Sequence, residues 1–455
     1  MKNIEVNWKA AIVFSLMTMI IVFSNCSEDT FDIYVNIDQE LDELITSHSP
    51  TGNSEFYILP YTNQYDLIPQ DPKNPLSSSK VELGKFLFFE TGIAMDAKKP
   101  SGMATYSCAS CHIPEAGFRS GRMQGIADGG MGYGEHGSQR YMNDNYVESE
   151  LDVQAARPLS LVNVAFVKNT FWNGQFGSKH ANVGTEHLWA LDEGTKRNNL
   201  GYEAIETQNF EGIHSHRMLV TKDLMDAYGY TALFDEAFPE FNEQSRYSNF
   251  TASLALSAYI RSIIAYKAPF QEWLKGNEDA LSLEEKKGAK LFFGKANCTS
   301  CHYNQNLGSN EFHALGAKDM DHHEDALNRD PKDKRNLGRG GFTNEISDLY
   351  KFKVPGIYNL KGTPFYFHGS SKTSVKDVVK YKLNAETENP RVNQTLISNK
   401  LNKITLTEVE IDNLVSFLEK SLHDPDLNRY KPTHIKSGLC YPNNDVISQS
   451  DLDCQ

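Results

Sequence analysis

Apolar residues recur with a helical period at several places along the chain. Thr407-x-x-Glu410 has the spacing of a capping box, and Ile411, Leu414, Val415 and Leu418 follow it at i, i+3, i+4 and i+7. That pattern predicts an amphipathic helix with one face in the core. Thr251 to Tyr266 is a dense apolar run with few breakers, which predicts a buried helix. Two shorter stretches echo each other. Ser79-x-x-Glu82 leads into Gly84-x-x-Leu87-Phe88-Phe89, and Ser282-x-x-Glu285 leads into Gly288-x-x-Leu291-Phe292-Phe293. Each predicts a short capped helix. Alternating β patterns are scarce, so the chain reads as mainly α. Gly125, Gly129, Gly130, Gly132, Gly134 and Gly137 crowd one stretch and predict long loops rather than core helices. Residues 27–75 are polar and turn-rich with no strong periodicity, and read as a tether followed by the start of a first domain.

Each echoed helix runs toward the same pentad. Cys108-Ala109-Ser110-Cys111-His112 and Cys298-Thr299-Ser300-Cys301-His302 both read C-x-x-C-H, the attachment pattern of a c-type haem. Two thiols on one turn can each add to a porphyrin vinyl group, and the next residue, His112 or His302, then lies under the iron as proximal ligand. Eighteen residues separate Phe89 from the first pentad and four separate Phe293 from the second. Duplication and divergence of one haem-binding unit is the simplest account. C-x-x-C alone also fits half a zinc site or a dithiol pair. A four-cysteine zinc ribbon wants its pairs roughly 15–20 residues apart, whereas these are 190 apart. A dithiol pair needs no His after its second Cys. The expectation is two covalently bound c-type haems.

Charge and cysteine usage narrow the setting. Lys and Arg number 45 against 59 Asp and Glu, a net charge of −14. That disfavours nucleic acid or an anionic lipid surface as partner and suits a redox protein that docks a neutral or basic electron carrier. Lys2 and Lys9 flank the start of a 14-residue apolar run, Ala10 to Phe23, too short for a comfortable membrane span. It reads as a signal peptide over 1–25. Val22-Phe23-Ser24-Asn25-Cys26 resembles a bacterial lipobox, with Asn25 departing from the usual small residue. A lipid on Cys26 would anchor the mature protein to a membrane; a cleaved secretory peptide without lipid is the alternative. Either way the chain is expected to be exported, as a periplasmic or outer-membrane protein. Cys440 and Cys454 remain outside the pentads, and a disulfide between them suits an oxidising compartment.

Between and around the pentads the chain resembles the bacterial di-haem cytochrome c peroxidases and their MauG-type relatives, over roughly residues 80–425. The residues that carry the resemblance are Leu83-Gly84-x-x-Leu87-Phe88-Phe89, Pro114-x-x-Gly117-Phe118, Phe171-Trp172-Asn173-Gly174, Ile260-Arg261, Gly338-Arg339, Phe352-Lys353-Val354-Pro355 and Thr363-Pro364-Phe365-Tyr366-Phe367-His368-Gly369. The resemblance implies two cytochrome c-like haem domains with long loops. It divides the chain into a tether and opening segment (26–75), an N-terminal peroxidatic domain (76–275), a C-terminal electron-transfer domain (276–425) and a polar tail (426–455). Peroxide would react at the N-terminal haem. The C-terminal haem would take electrons from a small cytochrome or copper protein and relay them inward.

The resemblance also assigns residues, with departures. Trp172 matches the family tryptophan between the haems, an electron relay or a core-packing residue. Gln208 matches the active-site glutamine segment. Where the peroxidases carry a Glu before a Met, this chain reads His216-Arg217-Met218. His216 is therefore the candidate acid/base, since imidazole titrates near neutrality, and Arg217 could instead stabilise a leaving oxyanion. His136 lies in the loop that supplies a removable sixth ligand in resting peroxidases. For the second haem, peroxidases place Met, and MauG-type enzymes Tyr, at the end of a helix that reads Val378-Val379-Lys380-Tyr381-Lys382 here. Lys382 falls at the ligand position and Tyr381 one before it, and a shifted local alignment is a third option. The family's interdomain calcium site begins at an Asn, and here the segment is Ala156-Arg157-Pro158-Leu159; calcium stays open and is not predicted. The expected activity is reduction of hydrogen peroxide to water. A MauG-like oxidation of Trp or Tyr on a partner protein and a non-enzymatic di-haem carrier are the alternatives.

Overall fold

The computed structural model describes residues 37–454; the signal segment and Cys26 lie outside them. Two helix crossings organise the chain. In one, Ser78–Phe89 packs against Asn249–Arg261. In the other, Leu283–Phe293 packs against Glu408–Ser416. A glycine permits each close approach. A methyl group on Gly84 would overlap the backbone carbonyl of Ala255, and one on Gly288 would overlap that of Asn413. Phe88, Phe89, Phe292 and Phe293, at the ends of the two leading helices, are all buried. The echo in the sequence is thus repeated in three dimensions, and one continuous hydrophobic core runs through both crossings.

Local chemistry fixes the helix starts. Ser282 Oγ accepts from Glu285 N (3.3 Å) while Glu285 Oε2 accepts from Ser282 N (2.8 Å). Thr407 and Glu410 exchange the same pair of bonds, so both capping boxes form as the spacing predicts. The first leading helix differs. Its cap is Ser77, not Ser79, and Ser77 Oγ accepts from Lys80 N. In a run of three serines the cap falls where the backbone switches from extended to helical, and Ser77 has φ −142°. The apolar run from Thr251 also stops being helical early, at Arg261. Asn163 explains why: its N–H donates to Ile263 O (2.8 Å) and its Oδ1 accepts from Ala265 N (2.8 Å). Residues 263–265 therefore stay buried beyond the end of the helix.

Two peripheral segments are tied into the body. Residues 37–48 are helical, with Ile37, Leu41 and Ile45 buried on one face. Asp38 accepts from Trp273 Nε1 (2.7 Å) and Lys286 Nζ (2.6 Å). This part of the expected tether is a docked helix beside the second crossing. At the other end, residues 426–454 fold back under the first pentad. Ser107 Oγ donates to Pro442 O (2.9 Å), Ser110 Oγ donates to Asn443 Oδ1, and Asn444 Nδ2 donates to Ala104 O (3.0 Å). Asp445 accepts from Gly132 N (2.9 Å) and pairs with Arg140 (3.2 Å). The Cys440–Cys454 disulfide is formed. Among the described residues the strands are two short antiparallel ribbons, Gly130–Met131 with Tyr141–Met142 and Phe312–His313 with Phe352–Lys353.

Candidate active site

The two pentads adopt one local structure. Cys108–Ser110 and Cys298–Ser300 are single tight turns, closed by His112 N donating to Cys108 O (3.1 Å) and His302 N to Cys298 O (2.9 Å). Each His is oriented by a backbone carbonyl: His112 Nδ1 lies 3.0 Å from Phe118 O, and His302 Nδ1 lies 2.7 Å from Leu307 O. A carbonyl only accepts, so Nδ1 carries the proton and Nε2 is left with its lone pair. Burial lowers both pKa values to about 4, which keeps the imidazoles neutral and able to ligate. The four pentad thiols are not bridged to one another, and burial pushes Cys108, Cys111 and Cys298 up to about 12. Gly125 sits so close to Cys111 that an added methyl would overlap its Sγ.

Both turns open into one cavity of about 900 Å³, lined by all four pentad Cys residues, His112 and His302. The wall is largely apolar, and two of its buried cationic side chains keep a nitrogen without a hydrogen bond. Arg157 Nε and Lys353 Nζ are buried without a hydrogen bond among the described residues. A porphyrin has an apolar face, two vinyl groups and two carboxylates. Paired thiols and a lone-pair nitrogen at each turn, with cationic nitrogens left over on the shared wall, fit that chemistry. Among the described residues no three His, Cys, Asp or Glu side chains are grouped as a metal cage, so a four-ligand zinc site is not assembled from either pair.

In the half nearer the first turn, the helix Ala204–Ser215 supplies Gln208 and Gly212, and His216 follows at its end, i, i+4 and i+8 on one face. His216 Nδ1 is 2.6 Å from Asp152 Oδ2. Burial works most strongly against its charged form, but the charge and hydrogen bond of Asp152, helped by Glu211, together raise the His216 pKa above the ordinary imidazole value. Arg217 turns elsewhere, donating to Asp128 Oδ2 and to Glu150 O (2.8 Å). It is not on the cavity wall. Tyr106, two residues before Cys108, donates its hydroxyl to His216 O (2.9 Å) and ties this corner to the first turn.

Trp172 joins the halves. Its Nε1 donates to Arg157 O (2.7 Å), and its ring meets Phe352 and His368 edge-on at 6.5 and 6.2 Å. His368 is held by Asp319 (3.0 Å), and Lys353 N donates to Trp172 O (2.8 Å). Lys353 is 3% exposed, with Nζ 4.5 Å from the centre of the Phe312 ring. Burial, with Arg339 nearby, lowers its pKa to about 7.

Near the second turn, the helix Val375–Asn384 separates the two candidate ligands. Lys382 lines the cavity, and burial lowers its pKa to about 8 despite the pull of Cys301 and Cys298. Tyr381 is buried outside the wall, its hydroxyl donating to Leu315 O (2.7 Å). Met320 is also buried away from the wall. His136 is half-buried on the glycine-rich loop, with φ +51°, and is not a wall residue. At the position of the calcium-site Asn, the Arg157 guanidinium bonds Thr363 Oγ1 (2.7 Å) and Ser120 O (3.3 Å). His322 and His323 donate to the carbonyls of Asp319, and of Gly369 and Ser370.

Nothing in the sequence marks Asp152, which lies in an unpatterned loop 64 residues from its partner His216. Lys353 and His368 stand inside motifs the sequence singles out, but nothing local marks them as cavity residues.

Comparison with known proteins follows the same lines. A family model described as di-haem cytochrome c peroxidase matches residues 78–279. The methylamine utilization protein MauG of Methylorubrum extorquens is 27% identical over 360 residues, 79% of this chain and 82% of that protein. Cytochrome-c peroxidase IdrP1 of a Pseudomonas species is 24% identical over 381 residues, covering 79% and 86%. A crystal structure of a MauG-like protein associated with microbial copper homeostasis shares the fold, with a TM-score of 0.56 and 24% identity over 81% of this chain and 95% of that one.

Proposed function

We propose that the chain is a cytochrome c peroxidase-like oxidoreductase of the di-haem cytochrome c peroxidase and MauG-type family, to which it is similar, and that it reduces hydrogen peroxide to water with electrons from a small cytochrome or copper protein. Two c-type haems would be held covalently, one by Cys108 and Cys111 with His112 as ligand, the other by Cys298 and Cys301 with His302. When bound they supply the redox iron, one that meets peroxide and one that stores an electron. An exported protein, lipid-anchored through Cys26 outside the described residues, suits that role.

The observation that carries the reading is His216 on the wall of the cavity shared with His112, with its Nδ1 committed to Asp152. Its Nε2 is the group available to take a proton from one peroxide oxygen and deliver it to the other. Gln208, one turn back on the same face, is suited to orient the peroxide. Peroxide takes up two electrons and two protons and leaves as two waters. Lys353 and Arg157 would hold the haem carboxylates, and Trp172 would relay electrons between the halves.

At the second haem, Lys382 is favoured over Tyr381 as sixth ligand, because the lysine lines the cavity and the tyrosine hydroxyl is bonded elsewhere. A nitrogen ligand lowers the potential relative to Met. That favours, as second reading, a MauG-like enzyme that oxidises Trp or Tyr on a partner protein. Steady-state peroxide turnover with a reduced small cytochrome tests the first reading, and failure with several donors would favour the second. Lys382→Ala should change the low-spin spectrum of one haem only; an unchanged spectrum would remove Lys382 as ligand.

A further inference from the structure

The reaction needs an imidazole nitrogen of known protonation facing the cavity, and the chain carries a dedicated group for that. We propose that Asp152 is the positioning residue for His216, fixing which ring nitrogen faces the cavity and holding the ring for proton transfer. The inference rests on the peroxidatic reading above and deepens it.

Asp152 is 8% exposed, and its Oδ2 lies 2.6 Å from His216 Nδ1. An ionised carboxylate only accepts, so Nδ1 carries the hydrogen and Nε2 faces the cavity with its lone pair. Both partners are mounted rigidly. Asp152 N donates to Asp128 O (3.0 Å), and Asp152 O accepts from Ala127 N (3.0 Å). His216 N donates to Gly212 O (2.9 Å), and its carbonyl accepts from the Tyr106 hydroxyl. The neighbouring cation is kept from competing. Arg217 is taken by Asp128, which also accepts from Lys98 N (2.6 Å) and the Tyr146 hydroxyl (2.7 Å). Two adjacent basic residues are thus matched to two separate carboxylates.

The charged groups that act on His216 are Asp152, Glu211 on its own helix and Arg217, and His112 feels it across the cavity. Asp152 stabilises the imidazolium formed when Nε2 takes the peroxide proton. That proton then passes to the leaving oxygen as the O–O bond breaks and one water departs; the other oxygen leaves as the second water after taking two electrons from the reduced small redox protein and two protons from solvent.

The test is binding of hydrogen cyanide to the ferric, haem-loaded protein, followed by stopped-flow absorbance across pH. Hydrogen cyanide must give up its proton as it binds, so the rate reads the base without any electron donor or turnover. His216→Gln should slow association by about 100-fold, within the usual range for a lost general base. Asp152→Asn should slow it by about tenfold and move the pH at which the rate falls off down toward ordinary imidazole. Asp152→Glu should recover part of the rate, and Asp152→Asn should add nothing in the His216→Gln background. Asp152→Ala gives the same reading if the Asn variant loads too little haem. A wild-type rate and pH profile in the Asp152 variants, or equal slowing in the His216→Gln background, would overturn the positioning role. Wild-type cyanide and peroxide rates in His216→Gln itself would instead overturn the acid/base reading on which it rests.

Discussion

Lys353 is buried with no hydrogen-bond partner among the described residues, a costly state unless an anion shares its cavity. If that anion is a haem carboxylate, Lys353→Met should destabilise the loaded protein by about 3 kcal/mol, the usual cost of breaking a buried pair. Chemical denaturation of the haem-loaded protein measures it, and a gain in stability would contradict the pairing. Trp172 makes a second residue-scale prediction. Trp172→Phe keeps most of the packing against Phe352 and His368 but loses the bond to Arg157 O. Peroxide turnover should fall by about tenfold while the spectra of both haems stay unchanged; unaltered turnover would reduce Trp172 to packing. The His216–Asp152 pair sets a pH dependence. The folded His216 pKa is raised, so the pair's stabilisation is present below the unfolded value of about 6.5 and is lost as pH rises through the folded value. Asp152→Asn should therefore cost more stability near pH 6 than near pH 9, by denaturant titration at the two pH values.

At the scale of elements, each helix crossing depends on one glycine. Gly288→Ala pushes a methyl into Asn413 O, and overpacking of this kind costs about 1–3 kcal/mol; Gly84→Ala should behave alike, and urea denaturation of either variant checks it. The C-terminal clasp depends on Cys440–Cys454. Opening a loop of this length costs about 3 kcal/mol, so Cys440→Ser should lower stability and expose residues 441–454 to protease first. These elements differ in how legible they are. Ser282, Glu285, Thr407 and Glu410 announce their helices because a capping box is a contact across three residues. The Ser77 cap is ambiguous in a serine run, since the choice depends on where the backbone turns. The helix over 37–48 hides because four acidic residues interleave its apolar face, and its meaning depends on Trp273 and Lys286, far along the chain. The clasp is invisible because it bonds through carbonyls such as Pro442 O and short polar side chains, which leave no periodic trace. The pentad turns are legible, since both thiols and the following His lie on one turn. Asp152 is not, because its role exists only once the loop meets His216.

Across the whole molecule, two copies of one helix crossing hold two C-x-x-C-H turns against a single cavity, with Trp172 and Lys353 on its wall. Among the described residues no helix is long and apolar enough to cross a membrane. If the proposed second haem is bound, the identity of its sixth ligand would weigh peroxide reduction against oxidation of a partner protein, and Lys382, on the cavity wall, is the residue to test. In the proposed reaction the two centres act together on one peroxide. Its most direct test is stopped-flow absorbance of the fully reduced, haem-loaded protein mixed with one equivalent of hydrogen peroxide and no other donor. Both haems should be oxidised rapidly by that single equivalent, and more slowly in His216→Gln; oxidation of one haem only, or reduced spectra that persist, would contradict joint action.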